Sequence, residues 1–279
     1  MLITDFTRAL ERIVPLSSIA FDGDRVGMQV GLPSETLLSK VLFAYEVTTE
    51  VIAEARDRDA NLIVAFHPLI FPNITSVTDT HRTGALLREL LKADIALYVQ
   101  HTAFDAQIEF GTSRLMAEAL KLQNIQPLTR ARESAGGLDF GMGAIGSWEG
   151  SKTRDGFLQL VQQTFGTPAI RTNADGPSKI KTVAMLGGAG MEYYSAAKDL
   201  GADAFITADV RYHDFHRASH DKILLVDAGH AETERFVTGG MVQAARRALE
   251  LSNMENDLPF SSLLPARTEP NSVRYYCQD

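Results

Sequence analysis

The sequence predicts an α/β protein in which helices pack on largely parallel sheets. Two observations carry that expectation. Short apolar runs, of the kind that strands buried on both faces require, alternate with segments whose apolar positions fall at helical spacing, and one such unit recurs later in the chain without a gap. A third observation concerns function: histidines stand just beyond three of the apolar runs, where open α/β sheets gather ligands.

The first helix is predicted from Asp5 to Val14: Thr4 and Asp5 are capping types, Phe6, Leu10 and Ile13 share a face, and Pro15 stops the pattern. Asp22 to Gly31, "DGDRVGMQVG", suits a structured loop or short hairpin. "KVLFAYEV" then reads as a buried strand, "TEVIAEARDRD" as a helix with Val51, Ile52 and Ala55 on one side, and "NLIVAF" as a second buried strand. A helix through "TGALLRELLKA", the strand "IALYV" and a helix through "TSRLMAEALKL" continue the alternation.

The polar stretch from Gln123 to Gly137 is the best internal boundary, which divides the chain into halves of about 1–125 and 126–279 that are free to exchange terminal segments. After it come a strand in "GMGAIGSW", a helix in "TRDGFLQLVQQTF", and three buried strands in "KTVAMLGG", "AFITAD" and "KILLVDAG". The helical stretches "MEYYSAAKDLG" and "YHDFHRASH" separate those strands; a long helix from about Ala231 to Leu251 and a short strand "SVRYY" are expected last. Residue 41 set against residue 183 superposes two βαβ units: Val41 meets Val183, Ala55 meets Ala197, and Ala60 meets Ala202. Each half also ends its next strand with a histidine followed four residues later by a carboxylate, His101 with Asp105 and His230 with Glu234.

Composition narrows the function. A net charge of -8 disfavours a polyphosphate partner. No apolar run approaches the roughly 18 residues of a membrane-spanning helix, and "MLITDF" lacks a basic leader, so a cytoplasmic chain is expected. A single cysteine, Cys277, excludes an internal disulfide and a thiolate zinc site. Any metal must therefore sit on histidine and carboxylate. His67, His101 and His230, with Asp105 and Glu234, make a nitrogen and oxygen ligand set that suits divalent Zn, Fe, Mn, Co or Ni.

The chain resembles the Nif-three-like dinuclear metal-centre proteins, the GTP cyclohydrolase type two homologues. The likeness rests on "VGMQVG", "VLFAYEVTTEVIAEARDRDANLIVAFHPLIF", "YVQHTAFDA", "GMGAIG", "VAMLGGAG", "GADAFITADVRYHDF" and "DAGHAETE", in the family's order. It implies duplicated three-layer α/β/α halves with mixed, largely parallel sheets, a metal crevice between the halves, and a toroidal hexamer. By position it implies His67 and Asp105 as ligands of one ion, His230 as a ligand of a second, and Glu234 bridging both. His101 is implied as a further ligand or as the catalytic proton donor and acceptor. The implied activity is that of a hydrolase acting on a small nucleotide-like or phosphorylated molecule; the alternative is a non-catalytic metal-binding or regulatory hexameric ring. Two positions depart from the pattern: Phe66 stands where the family has a first histidine before His67, which weakens one ion site, and Ala208 replaces a turn glycine.

Other signals are weaker. "GGAG" at Gly187 to Gly190 suits a tight turn better than a phosphate cradle, since no Gly-Lys-Ser/Thr follows. His213, His216 and His220 share a helical face, and Arg82, Arg114 and Arg211 are anion partners only by residue type.

Overall fold

The computed structural model describes residues 1–19, 21–130, 140–268 and 272–276. The chain divides into two compact units, Met1–Phe104 with Val237–Pro270, and Asp105–Phe236 with Asn271–Asp279.

The first unit opens with α1 (Ile3–Glu11), which buries Phe6 and Leu10. It starts earlier than its sequence suggests, because Asp5 works from inside the first turn, where its carboxylate accepts the Leu2 N–H at 3.4 Å. Then follow β1 (Gly27–Val30), β2 (Val41–Ala44), α2 (Thr49–Asp57), β3 (Leu62–Ala65), α3 (Arg82–Lys92), β4 (Ala96–Val99) and the short α4 (His101–Asp105). The glycine-rich loop does not fold back as a hairpin; its end becomes β1, an edge strand paired antiparallel with β4. Thr48 caps α2 by accepting the Val51 N–H at 3.3 Å.

The second unit continues with α5 (Thr112–Ala119), β5 (Gln123–Gln126), β6 (Thr129–Arg130), β7 (Gly141–Met142), β8 (Ala144–Thr153) and α6 (Arg154–Phe165). Thr153 caps α6 and Gly166, at φ 67°, ends it in the left-handed region that glycine tolerates. After β9 (Arg171–Thr172) come β10 (Lys179–Ala189), α7 (Tyr194–Asp199), β11 (Ala204–Ala208), α8 (Tyr212–Asp221), β12 (Leu224–Asp227) and α9 (His230–Glu234). The part of the expected boundary stretch beyond Arg130 lies outside the described residues. Residues 272–276, expected as a strand, are not assigned to one.

The expected single helix from Ala231 to Leu251 is broken in two. Arg235 donates to the Phe165 carbonyl at 2.9 Å and Phe236 packs edge-on against Phe165, so the chain is anchored to the second unit there. It then enters the first unit as α10 (Val237–Ser252), followed by β13 (Leu263–Pro265).

The first unit's sheet runs β1-β4-β3-β2-β13, parallel except for β1. One face buries Leu42, Ile63, Leu97 and Val99 against Val51, Ile52, Leu86 and Leu90 of α2 and α3. The alternate residues face the other way, and Tyr98 reaches Glu11 of α1 at 2.9 Å, giving a three-layer α/β/α arrangement. The second unit's sheet runs β5-β8-β10-β11-β12-β9, with β10, β11 and β12 parallel and its other pairings antiparallel. Its core joins Val183, Met185, Ile206 and Val226 to Met116 of α5 and Phe157 and Val161 of α6. On the opposite face Phe205 packs against Tyr194 of α7.

The duplication read in the sequence reappears as register. Val41 pairs with Leu62 in the first unit, and Val183 with Ala204 in the second. These are the same partners under the alignment of residue 41 on residue 183. In each unit the third parallel strand, β4 or β12, leads to a short helix that begins on histidine and ends on a carboxylate.

Candidate metal centre

In the first unit the parallel strands deliver two histidines to the same end of the sheet. His67 follows β3 and His101 opens α4; the backbone brings them side by side, because the His101 N–H donates to the Phe66 carbonyl at 2.9 Å. Their ring centroids are 5.6 Å apart. His67 Nδ1 lies 3.2 Å from Glu46 Oε2, and the other oxygen of Glu46 accepts from Arg82 at 2.8 Å. Burial opposes ionisation of Glu46, but His67 and Arg82 outweigh it and hold the carboxyl below its ordinary range.

His101 Nδ1 is 2.7 Å from Oδ1 of Asp24, a buried carboxylate from the glycine-rich loop. Asp24 Oδ2 also accepts from the Thr102 hydroxyl and N–H, at 2.5 and 3.3 Å. Burial again works against the charge, and the bonds from His101 and Thr102 overcome it, so Asp24 is held below its usual value. His101 itself has φ 33°, a strained backbone for a residue with a side chain.

Phe66 is fully buried beside both histidines, with ring centroids 5.0 Å from His67, 5.7 Å from His101 and 6.4 Å from Phe104. It fills its position with hydrocarbon and offers no lone pair.

In the second unit α9 places His230 and Glu234 one helical turn apart, and His230 Nε2 lies 3.2 Å from Glu234 Oε2. Asp209, at φ 54° just past β11, puts Oδ2 2.6 Å from His230 Nδ1. Burial lowers the His230 pKa, but Glu234 and Asp209 more than reverse that, and it is pushed up to about 9.

Beneath this pair runs the glycine bend of β10. A Cβ on Gly188 would collide with Glu234 Oε1 and stand 3.1 Å from His230 Nε2. A Cβ on Gly187 would come 2.6 Å from the Thr112 methyl and 3.4 Å from Glu234 Cγ. The glycines of "GGAG" therefore admit the close approach of Glu234 and His230. The Gly188 N–H donates to Thr233 at 3.0 Å and its carbonyl accepts from Thr207 at 2.9 Å. Thr112 also donates to Asp105, which ties the last residue of α4 to the same glycine bed.

The first unit thus brings His67 and His101 together, and the second brings His230 and Glu234 together with Asp105 near their support. Three carboxylates went unassigned in the sequence: Glu46, Asp24 and Asp209. Asp24 and Asp209 each sit in a short loop beside glycine or a strand end, the only local signal they carry. The other candidates have different employment. Arg82 holds Glu46, Arg114 pairs with Glu118 at 2.7 Å, and Arg211, His213, His216 and His220 are exposed.

The donor chemistry fits a divalent cation. His101 and His230 each set Nδ1 in a hydrogen bond with a carboxylate, and His67 Nδ1 lies at ion-pair distance from Glu46; a carboxylate so placed orients imidazole and raises its basicity toward a metal at Nε2. No helix among the described residues is long and apolar enough to cross a membrane.

Comparison with known proteins agrees with this architecture. The chain is 33% identical over 235 residues to a protein of Streptomyces coelicolor named GTP cyclohydrolase 1 type 2 homolog, covering 83% of this chain and 81% of the relative. A Nostoc protein of the same name is 32% identical over 225 residues, covering 78% and 83%. A crystal structure of a Bacillus cereus protein related to NIF3 superposes with a TM-score of 0.86 at 22% identity, covering 99% of both chains, and shares the fold. The family model for Duf34/NIF3 (NGG1p interacting factor 3) matches residues 1–264, and the chain belongs to that family.

Proposed function

We propose that this protein is a metal-dependent hydrolase acting on a small nucleotide-like or phosphorylated molecule. The observation that carries the reading is the recurrence of one device: His67 on Glu46, His101 on Asp24 and His230 on Asp209. In this reading His67, Asp105, His230 and Glu234 would hold the metal. A divalent ion held there would supply a water of lowered pKa and would polarise the bond to be cleaved.

The chain's own residues supply the rest. His101 takes the proton released as water attacks and returns it to the leaving group. The Asp24 side chain is shielded from solvent, and its Oδ1 faces the imidazolium that forms on His101, which strengthens their attraction. Glu46 keeps the His67 ring oriented, and Arg82 keeps Glu46 ionised. The test is purified protein with its metal content measured, screened against nucleotides and phosphoesters. The reading requires turnover that disappears with chelation, with Glu234→Gln and with His101→Ala; turnover indifferent to all three refutes it.

Phe66 favours one competing reading, a non-catalytic metal-binding or regulatory hexameric ring, because a fully buried phenyl ring removes a ligand from the second ion. That reading expects chelation to lower thermal stability or break assembly while no candidate substrate is turned over.

A further inference from the structure

Asp227 is a charged residue in a strand that is otherwise apolar. It closes β12, and only 6% of it is exposed. By register it is the counterpart of Val99: Thr207 pairs with Asp227 as Ala65 pairs with Val99. A fully buried valine completes the first unit's strand. The fold therefore has no need of a carboxylate there, and burying one is costly unless its partners are complete.

Its partners are informative. Asp227 Oδ2 accepts the Val210 N–H at 3.2 Å, and Oδ1 accepts the Gly229 N–H at 3.2 Å. Val210 follows Asp209, and Gly229 precedes His230. Both turns depend on backbone in the left-handed region, Asp209 at φ 54° and Gly229 at φ 88°. Arg171 pairs with Asp227, donates to the Val210 carbonyl at 3.0 Å, and lies over the Phe215 ring at 5.6 Å. One carboxylate thus fixes both turns whose side chains meet at 2.6 Å as Asp209 and His230.

We propose that Asp227, braced by Arg171, is the positioning residue of the His230 half-site: it clamps the two turns so that Asp209 orients His230 for a cation. The metal part of this claim rests on the function proposed above. The positioning part is independent of any metal.

The experiment compares wild type, Asp227→Asn and His230→Ala in the full-length protein. The first readout, in metal-free protein with isotope-labelled histidine, is the downfield Nδ1–H resonance of His230, protected from exchange by Asp209. The second is affinity for Zn²⁺ alone by calorimetric titration. Asp227→Asn is expected to lose the protected resonance and to bind Zn²⁺ about 10- to 100-fold more weakly, with cooperative unfolding retained. A resonance and affinity equal to wild type overturn the proposal. If wild type and His230→Ala bind Zn²⁺ equally, the metal reading of His230 fails, and the metal-free resonance still decides the positioning role. Should Asp227→Asn not fold, Arg171→Met carries the same test: loss of the resonance supports the clamp and its retention overturns it.

Discussion

Gly188 and Glu234 approach so closely that no side chain fits between them: a Cβ on Gly188 would overlap the Glu234 carboxylate and sit 3.1 Å from His230 Nε2. Gly188 also has φ 63°, a conformation that side chains disfavour. Gly188→Ala is therefore expected to destabilise the protein by about 1–3 kcal/mol and to weaken metal binding by displacing Glu234. Chemical denaturation and metal titration on the same variant check both; unchanged affinity would show that the glycine serves the turn alone.

Metal uptake should release a proton from His230. Its folded pKa is pushed from 6.5 to about 9 in the metal-free protein, so near neutral pH the ring is protonated and a cation must displace that proton. Affinity is expected to rise with pH until about 9 and then level off. The sign for stability is opposite: the contribution of protonated His230 is complete below pH 6.5 and is lost as pH rises through about 9. Titrations in buffers of different ionisation enthalpy measure the proton, and His230→Ala should abolish this release.

Asp24→Ala removes the buried carboxylate that accepts the Thr102 N–H and faces the His101 ring. A loss of about 1–3 kcal/mol is expected, read from denaturant unfolding. In wild type the contribution of Asp24 is present above 3.8, its ordinary pKa, and is lost as pH falls through its lower folded value. The variant should accordingly lose part of the acid dependence of stability between those limits.

Phe66→His restores an imidazole where the family resemblance expects one. Bound metal is expected to rise from about one ion toward two per chain as the coordination set is completed. The metal-free variant should lose about 1–3 kcal/mol, since a polar ring replaces a fully buried phenyl. Elemental analysis and thermal unfolding before and after chelation decide it; an unchanged stoichiometry would mean that more than Phe66 limits the second ion.

The parts of the site legible in the sequence are those set by local geometry. His230 and Glu234 meet because positions four apart share a helix face, which "HAETE" states directly. His101 reaches His67 because consecutive parallel strands end at the same edge of a sheet. Asp24 was hidden because it lies 77 residues before His101, in a loop that reaches α4 only once β1 has paired with β4. Asp209 lies 21 residues before His230 and arrives through the pairing of β11 with β12. The break in the expected C-terminal helix is hidden for a similar reason: nothing local marks Arg235 and Phe236, whose contacts are with the distant Phe165.

By itself the sequence determined the alternation of strands and helices, the repeated βαβ unit, and the histidines at strand ends, because burial periodicity is a property of neighbouring residues. Tertiary structure decided which acid stands behind each histidine and why Gly187 and Gly188 carry no side chain. Those outcomes depend on strand order and on turns in left-handed backbone, which bring distant side chains within hydrogen-bonding range only after the sheets have formed.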